Sequence, residues 1–593
     1  MVPIPRFDAD VAPDADVAPH VLREYSFVAD GERGALIGPR GDFAWMCAPL
    51  WHSEPVFSTL LGGTGTYVVA PDTSRFVWGG YYEDGTLIWR SRWVDNGIVE
   101  CREALAMPAD PHTVVILRRL IAVEGDARLR VALRVRVGYE GRGMECPTLR
   151  DGVWHARAGP LHLRWQGAGT ATSSATGFEM RLELHSGRTH DLLLEISDRP
   201  FATATPSAEA VWRRTEQAWA AATAPIHGTL ADRDARHATA VLTGLTSDSG
   251  GMVAAATTAL PERAAQGRNY DYRYCWIRDQ CYAGHATAVY GPHPLLDAAI
   301  NFVSDRLLAD GPQLKPAYTV GGGPVPSQST PPLPGYPGGK VVVGNWVNQQ
   351  FQLDTFGEAL LLFAAASRRD RLEQPHWRAV EAAAAAIESR WTEPDAGIWE
   401  LHTRRWTHST LTCAAGLRAV AAVAPRIQRD HWSSLADTLT RSAVTECVHP
   451  SGRWQRAPDD ERVDAALLLP TLRGALPPDH PTSRHTLDAV RTELGRDGYV
   501  YRFRHDDRPL AEAEGAFLLC GFVMALADHQ QGNSFEAVRW FERNRAACGS
   551  PALFTEEFDV IERQLRGNLP QAFVHALLLE SAQRLARPWR SRG

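Results

Sequence analysis

Residues 128–137, RLRVALRVRV, alternate apolar and charged side chains, the period-two pattern of a strand with one face buried. PLHLRWQ (160–166) and FEMRLEL (178–184) repeat the pattern, and turn-rich stretches such as HSGRTHD (185–191) separate such runs. Many short strands with turn signals predict an antiparallel β-sandwich, here over residues 21–205. The period changes near residue 206. Ser207 stands where it would cap a helix through AEAVWRRTEQAWAAA. Trp212 and Trp219 fall on one face of that helix, the placement of core-packing side chains, and residues 206–234 read as a helical linker. From 235 to 593 the pattern is helical, clearest at 354–370, 376–391 and 514–529. Long Gly/Pro-rich loops lie between, such as VGGGPVPSQSTPPLPGYPGG (320–339), and loops of that length are usually functional or mobile. Helices of similar length joined by loops suit a helical barrel whose mouth the loops line.

Composition narrows the function classes. A chain of 593 residues exceeds one hydrophobic core, so at least two domains are expected. The net charge of −7 disfavours nucleic acid and anionic membrane surfaces as partners. No apolar run is long enough to span a bilayer. Residues 1–20 carry acids and prolines where a signal peptide needs a basic start and an apolar core, so they read as a disordered leader of a cytoplasmic protein. Nine cysteines without a CxxC pair or clustered ligand spacing predict free thiols, with no disulfide, no metal site and no cofactor.

Three segments carry candidate chemistry. NYDYRYCWIRD (269–279) packs four aromatics, two arginines and two aspartates together. Aromatic faces stack on sugar rings while Arg and Asp bond hydroxyls, although a buried aromatic turn with a structural ion pair has the same composition. In EPDAGIWELHTRRWTHST (393–410), Glu400 follows Trp399. An indole beside a carboxyl strips it of water and favours the protonated form a general acid needs, while the plainer reading is a solvated surface glutamate. In LFTEEFD (553–559), Glu556 and Glu557 lie between Phe554 and Phe558, a pair that also suits a helix cap.

Taken in order, these segments resemble glycoside hydrolase family 15, the bacterial and archaeal glucoamylase and trehalase group, from about residue 24 to about residue 582. The family's GxIVAAPTTSLPE and NWDYRYCWLRD appear as GMVAAATTALPE (251–262) and NYDYRYCWIRD. GNxAxxQxQLDxYGE appears as GNWVNQQFQLDTFGE (344–358), and PDxGIWE as PDAGIWE (394–400). DAALLLP (464–470), EGAFLLCGFV (514–523), EEFD (556–559) and GNLPQAFVH (567–575) complete the series. The resemblance implies an N-terminal antiparallel β-sandwich, a helical linker and a C-terminal (α/α)6 barrel. It implies Glu400 as general acid and Glu556 as general base. It implies Arg278 and Asp279 as ligands of the terminal glucose hydroxyls, and Tyr272, Trp276 and Trp399 as walls of that pocket. Glu557 would contact sugar or orient Glu556, and the stretch around Tyr501, Arg502 and Arg504 lies near the next sugar, with either arginine the inward one.

The implied reaction is inverting hydrolysis, in which two carboxyls roughly 6.5–9.5 Å apart leave room for a water between base and sugar. The leading expectation is an exo-acting glucosidase releasing β-glucose from α-linked gluco-oligosaccharides. An α,α-trehalase of the same family is the first alternative, followed by a glucosyltransferase and a noncatalytic sugar-binding relative. The sequence does not fix the oligomeric state. The chain departs from the family pattern at Leu50, Trp51 and His52, where Arg-Phe-Asp is usual, and at Thr410 and Ala414, which replace a lysine and a tryptophan. These departures leave linkage preference open between α-1,4, α-1,6 and α,α-1,1 bonds.

Overall fold

The structure, a computed structural model, describes residues 18–73, 75–201, 204–223, 226–262, 268–505, 508–510 and 512–589. Most of the predicted leader lies outside the described residues. Strands from Ser26–Ala29 through Thr189–Ser197 form two antiparallel eight-stranded sheets stacked face to face. The alternating run 128–137 becomes the strand Ala127–Arg134, paired on both sides with Thr66–Pro71 and Phe178–Leu184. Its Leu129, Val131 and Leu133 are buried in a core shared with Cys101, Ile116, Leu120 and Leu194 of the other sheet. The predicted turn at 185–191 is shorter than expected, because Thr189 already begins the last strand.

Helix α1, Ala208–Ala222, follows. Ser207 occupies its N-cap position, but its side chain makes no capping bond. Trp212 and Trp219 are fully buried, as their shared face predicts. Twelve further helices follow among the described residues: α2 (Asp232–Gly244), α3 (Ile277–Ala288), α4 (Pro294–Asp310), α5 (Asp354–Ser367), α6 (Gln374–Arg390), α7 (Thr407–Ala421), α8 (Arg426–Cys447), α9 (Leu469–Leu472), α10 (Pro481–Glu493), α11 (Leu518–Gln530), α12 (Ser534–Arg545) and α13 (Ala572–Leu585). Helices α3, α5, α7, α9, α11 and α13 contact one another in sequence and close into a ring, with the other six packed outside. This is an (α/α)6 barrel.

The two rings differ as their sequences require. Inner helices are buried nearly all round, and α5 is buried from Asp354 through Ala366. Outer helices are amphipathic, and α8 buries the single stripe Trp432, Ala436, Leu439, Ala443 and Cys447. Glycines let the inner backbones touch: a Cβ on Gly357 of α5 would lie 2.7 Å from the backbone of Cys413 in α7. The expected helix at 514–529 starts later than its composition suggests. Ala516–Phe517 is instead extended and pairs with Glu557–Asp559, which places Glu556 beside the start of α11.

The sandwich reaches into the barrel mouth. Arg273, fully buried in the 269–279 loop, is held by Asp271 at 2.7 Å. It also donates to the carbonyl oxygens of Trp51 and Ser53 and to the Tyr139 hydroxyl, all sandwich groups. Asp271 in turn accepts from the Gly344 amide at 2.9 Å. One ion pair thus fixes the catalytic-loop candidate against two other segments. The departures at Trp51 and His52 fall here, with Trp51 Nε1 bonded to the Gly31 carbonyl and the His52 ring 6.2 Å from that of Tyr274. Replacing Arg273 with Ala strands a buried Asp271 carboxylate, and a broken buried pair costs about 3–5 kcal/mol. The urea midpoint of Arg273→Ala should fall accordingly, whereas an unchanged midpoint would show that the brace contributes nothing to stability.

Candidate active site

The N-terminal ends of the inner helices, and the loops that enter them, surround a cavity of about 230 Å³. Helix N-termini carry partial positive charge, which favours acidic side chains at that end. Asp279 in the first turn of α3 and Asp354 at the start of α5 use this. Glu262, Tyr272, Trp276, Arg278, Asp279, Trp399, Glu400, Arg502 and Glu556 all line the cavity.

Glu400 ends a strained turn. Its φ is 53°, a left-handed conformation costing a non-glycine residue about 1–3 kcal/mol. The turn persists because it is held from below. Buried Asp395 accepts from the Gly397 amide at 2.7 Å and from Ser409 Oγ of α7 at 3.0 Å, and Trp406 Nε1 donates to the Asp395 carbonyl. Gly397 also has a positive φ, and a Cβ there would lie 2.7 Å from the Trp406 ring. The strain therefore aims Glu400 into the cavity. Trp276 Nε1 donates to Glu400 Oε1 at 2.7 Å, and Arg278 lies 3.5 Å from the same oxygen.

Glu556 lines the same cavity. Its backbone carbonyl accepts from Leu518 N, and its Oε2 accepts from the Tyr272 hydroxyl at 3.0 Å. Tyr272 and Trp276 meet edge to face with centroids 5.5 Å apart. Two aromatics four positions apart in one loop thus each hold one of the two glutamates. Burial pushes the Glu556 carboxyl well above its ordinary value, Glu262 adds repulsion, and Arg502 opposes both. Burial likewise raises Asp279 to about 7 against the pull of Arg278, with Glu400 adding to the rise. Asp279 Oδ1 is buried without a hydrogen-bond partner among the described residues, an acceptor open to a hydroxyl donor.

Several expected placements differ. The indole on Glu400 is that of Trp276. Trp399 Nε1 turns away to Asp464 at 2.9 Å, and its ring packs on Phe517, so chain adjacency to Glu400 does not become contact. A quarter of the Glu400 side chain remains exposed (26%). Glu557 does not line the cavity. Side chains alternate along its strand, so when Glu556 faces inward Glu557 faces back, accepting from Gly515 N at 2.8 Å beside Arg502. Of the two arginines, Arg502 faces the cavity, clamped by Glu514 at 2.6 Å. Arg504 is exposed and donates to the Glu493 carbonyl at the C-terminal end of α10, where a cation is favoured. Tyr501 is buried behind the wall. Sequence reasoning assigned nothing to Glu262, although it closes the quoted GMVAAATTALPE motif. Nor did it single out Trp346 and Tyr270, two partly exposed aromatics at the cavity rim (54% and 39% exposed).

A closed helical barrel whose cavity is lined by Glu400, Glu556 and several aromatic side chains suits a glycosidase. Residues 239–583 match the model for glycosyl hydrolases family 15, and residues 15–212 match that for a trehalase-like N-terminal domain. The chain belongs to glycosyl hydrolase family 15 and is a glycoside hydrolase. It is 28% identical to a trehalase of Mycobacterium tuberculosis over 95% of this chain and 90% of that protein. It is 24% identical to a trehalase of Thermoplasma acidophilum over 93% and 98%. Trehalase 1 of Sulfolobus acidocaldarius is 30% identical over 58% of this chain and 62% of that protein. A solved bacterial glucoamylase complexed with acarbose shares the fold, with a TM-score of 0.70 over 98% of both chains at 12% identity.

The turn below Glu400 gives a direct test. Gly397→Ala adds a methyl against Trp406 at a positive φ and should displace the carboxyl. A misplacement of about 1 Å costs about 10²-fold in turnover. Steady-state kinetics with an unchanged far-UV spectrum should show that loss, and wild-type turnover in the variant would refute the positioning role of the turn.

Proposed function

We propose that this chain is an inverting α,α-trehalase, with Glu400 as general acid and Glu556 as general base. Glu400 protonates the glycosidic oxygen while Glu556 takes a proton from water attacking the opposite face of the ring. The observation that carries the chemistry is the pair of glutamates lining one cavity, each hydrogen-bonded to its own aromatic partner. Arg278, bonded to Gln352 at 2.8 Å, and the free oxygen of Asp279 supply directional contacts for one sugar ring. Arg502, with Tyr270 and Trp346 farther out, offers an apolar and charged surface to a second.

The substrate rests on the relatives. Sequence reasoning placed an exo-acting glucosidase first. The trehalase-like N-terminal domain and the full-length similarity to proteins named trehalase favour the alternative. A glucoamylase-type activity stays as second reading because of the shared fold. No described helix is long and apolar enough to cross a membrane, and all nine cysteines are free thiols, which suits a reducing cytoplasm.

Trehalose, maltose and isomaltose compared with glucose detection should show trehalose preferred by kcat/KM. Inversion at a 1,1 bond yields one β-glucose and one α-glucose per turnover, which NMR resolves at early times. Two α-anomers would exclude inversion, and preference for maltose would return the reading to glucoamylase. Glu400→Gln and Glu556→Gln should each lower kcat by at least ~10²-fold, the lower range for acid–base catalysis. Near-normal turnover in either variant would remove that residue from its role.

A further inference from the structure

Glu262 is a third carboxyl at the hydrolytic centre, and its surroundings give it a defined relation to Glu556. It is buried, lines the cavity, and shares the Tyr272 hydroxyl with Glu556 as a hydrogen-bonding neighbour. The Tyr272 hydroxyl lies 3.0 Å from Glu556 Oε2 and 3.3 Å from Glu262 Oε1. A phenol has one hydrogen, so it serves one carboxylate at a time. Two buried like charges beside a single shared donor repel, and that repulsion favours keeping one proton on the pair.

The backbone fixes the pair. Gly567 N donates to the Pro261 carbonyl at 3.0 Å, tying the Leu260–Pro261–Glu262 segment to the chain just beyond the base. A Cβ built on Gly567 would lie 3.5 Å from Glu262 Cγ and 3.8 Å from Glu556 Cβ, so this glycine floors both side chains. The charged and titratable groups facing the pair are Arg502, Arg268, Glu514, Glu557, Tyr270 and Tyr272. The cations among them bond elsewhere. Arg502 donates to Glu514 at 2.6 Å, Arg268 lies 3.3 Å from the same oxygen, and His505 is 2.8 Å from it. Burial opposes ionisation of Glu514, but Arg502 and His505 override it and hold it at about 2. Arg502 and Arg268 thus divide their charge between Glu514 and the Glu262–Glu556 pair, and what they leave uncompensated favours a proton held on the pair.

We propose that Glu262 is the positioning partner of the base: Glu262 and Glu556 share one proton, and Glu262 carries it while Glu556 faces the cavity as the carboxylate that deprotonates water. The proposal rests on the assignment of Glu556 as base. The step balances as follows. Water forms its bond to the anomeric carbon and gives a proton to Glu556. The glycosidic bond breaks, its electron pair stays with the departing oxygen, and Glu400 protonates that oxygen. The pair then holds two protons and Glu400 none, and exchange with solvent restores both. As a coupled unit the pair loses its protons in two well-separated steps, and its singly protonated form is the working one.

The test separates this proposal from the assignment beneath it. Infrared difference spectra of Glu262→Gln against wild type near pH 7 should show loss of one protonated-carboxyl C=O band with no net loss of carboxylate absorption. Loss of a carboxylate band with the acid band intact would overturn the shared proton. Kinetics give a second arm. Gln retains a donor toward Glu556 and Met does not, and a hydrogen bond to a charged group is worth about tenfold or more. Glu262→Met should therefore turn over at least about tenfold more slowly than Glu262→Gln. Equal rates in the two variants, or a Gln variant as slow as Glu556→Gln, would refute the donor role. If Glu556→Gln itself kept normal turnover, the base assignment would fail, and the infrared result would still report on the pair.

Discussion

Too many carboxyl groups converge on too little water in this protein, and that electrostatic constraint organises the site. Glu262, Asp279, Glu400 and Glu556 line one cavity, with Asp354, Glu514 and Glu557 directly behind it. Each buried carboxylate must be paired, hydrogen-bonded or protonated. Arg278 is divided between Asp354 and Glu400, and Arg502 between Glu514 and Glu557. What the arginines leave uncompensated is left to Glu556, Glu262 and Asp279, whose proton affinities rise. The same shortage of positive charge that destabilises the ionised site gives it groups able to exchange protons.

A site under this load needs a rigid frame, and three parts of the fold supply it. The inner helices present their N-termini to the acidic side chains. The left-handed turn at Glu400 is locked by Asp395 and Trp406. The sandwich pins the aromatic loop through Arg273, so that Tyr272 and Trp276, one residue before and three after it, reach the two glutamates from a fixed base. The β domain therefore acts on the chemistry without contributing a side chain to the cavity lining.

How much of this was legible in the sequence depended on whether the relation was local. Strand alternation at 128–137 and the apolar run Ala359–Ala366 report their environments directly and lead to a sandwich and a helical domain, while the barrel topology came from the family resemblance. Chain neighbours misled where space differed from sequence. Trp399 is next to Glu400 but bonds Asp464, while the contacting indole, Trp276, comes from a distant loop. Glu557 is next to Glu556 but faces the opposite side of its strand. Arg502 and Arg504 have the same parity in an extended run, so alternation alone could not say which one a bend would carry to the surface. Glu262 closes a recognisable motif but carries no local sign of a role, because its link to Glu556 runs through Tyr272 and joins distant parts of the chain.

These nonlocal relations also bear on how substrate range can vary on a constant catalytic core. Glu400, Glu556 and their aromatic partners are set by helix ends and the locked turn. Other lining residues come from loops: Gln328, Trp346 and Gln350 from the connection between Tyr318 and Asp354, and Arg268 and His505 from two further loops. Thr410, one of the departures from the family pattern, lies within α7, behind the turn that carries Glu400 and away from the cavity lining. Ala414 is fully buried in the same helix. Those two positions therefore lie in the packing of α7 and not on the cavity surface, whereas the exposed aromatics Tyr270 and Trp346 of the cavity lining sit on loops.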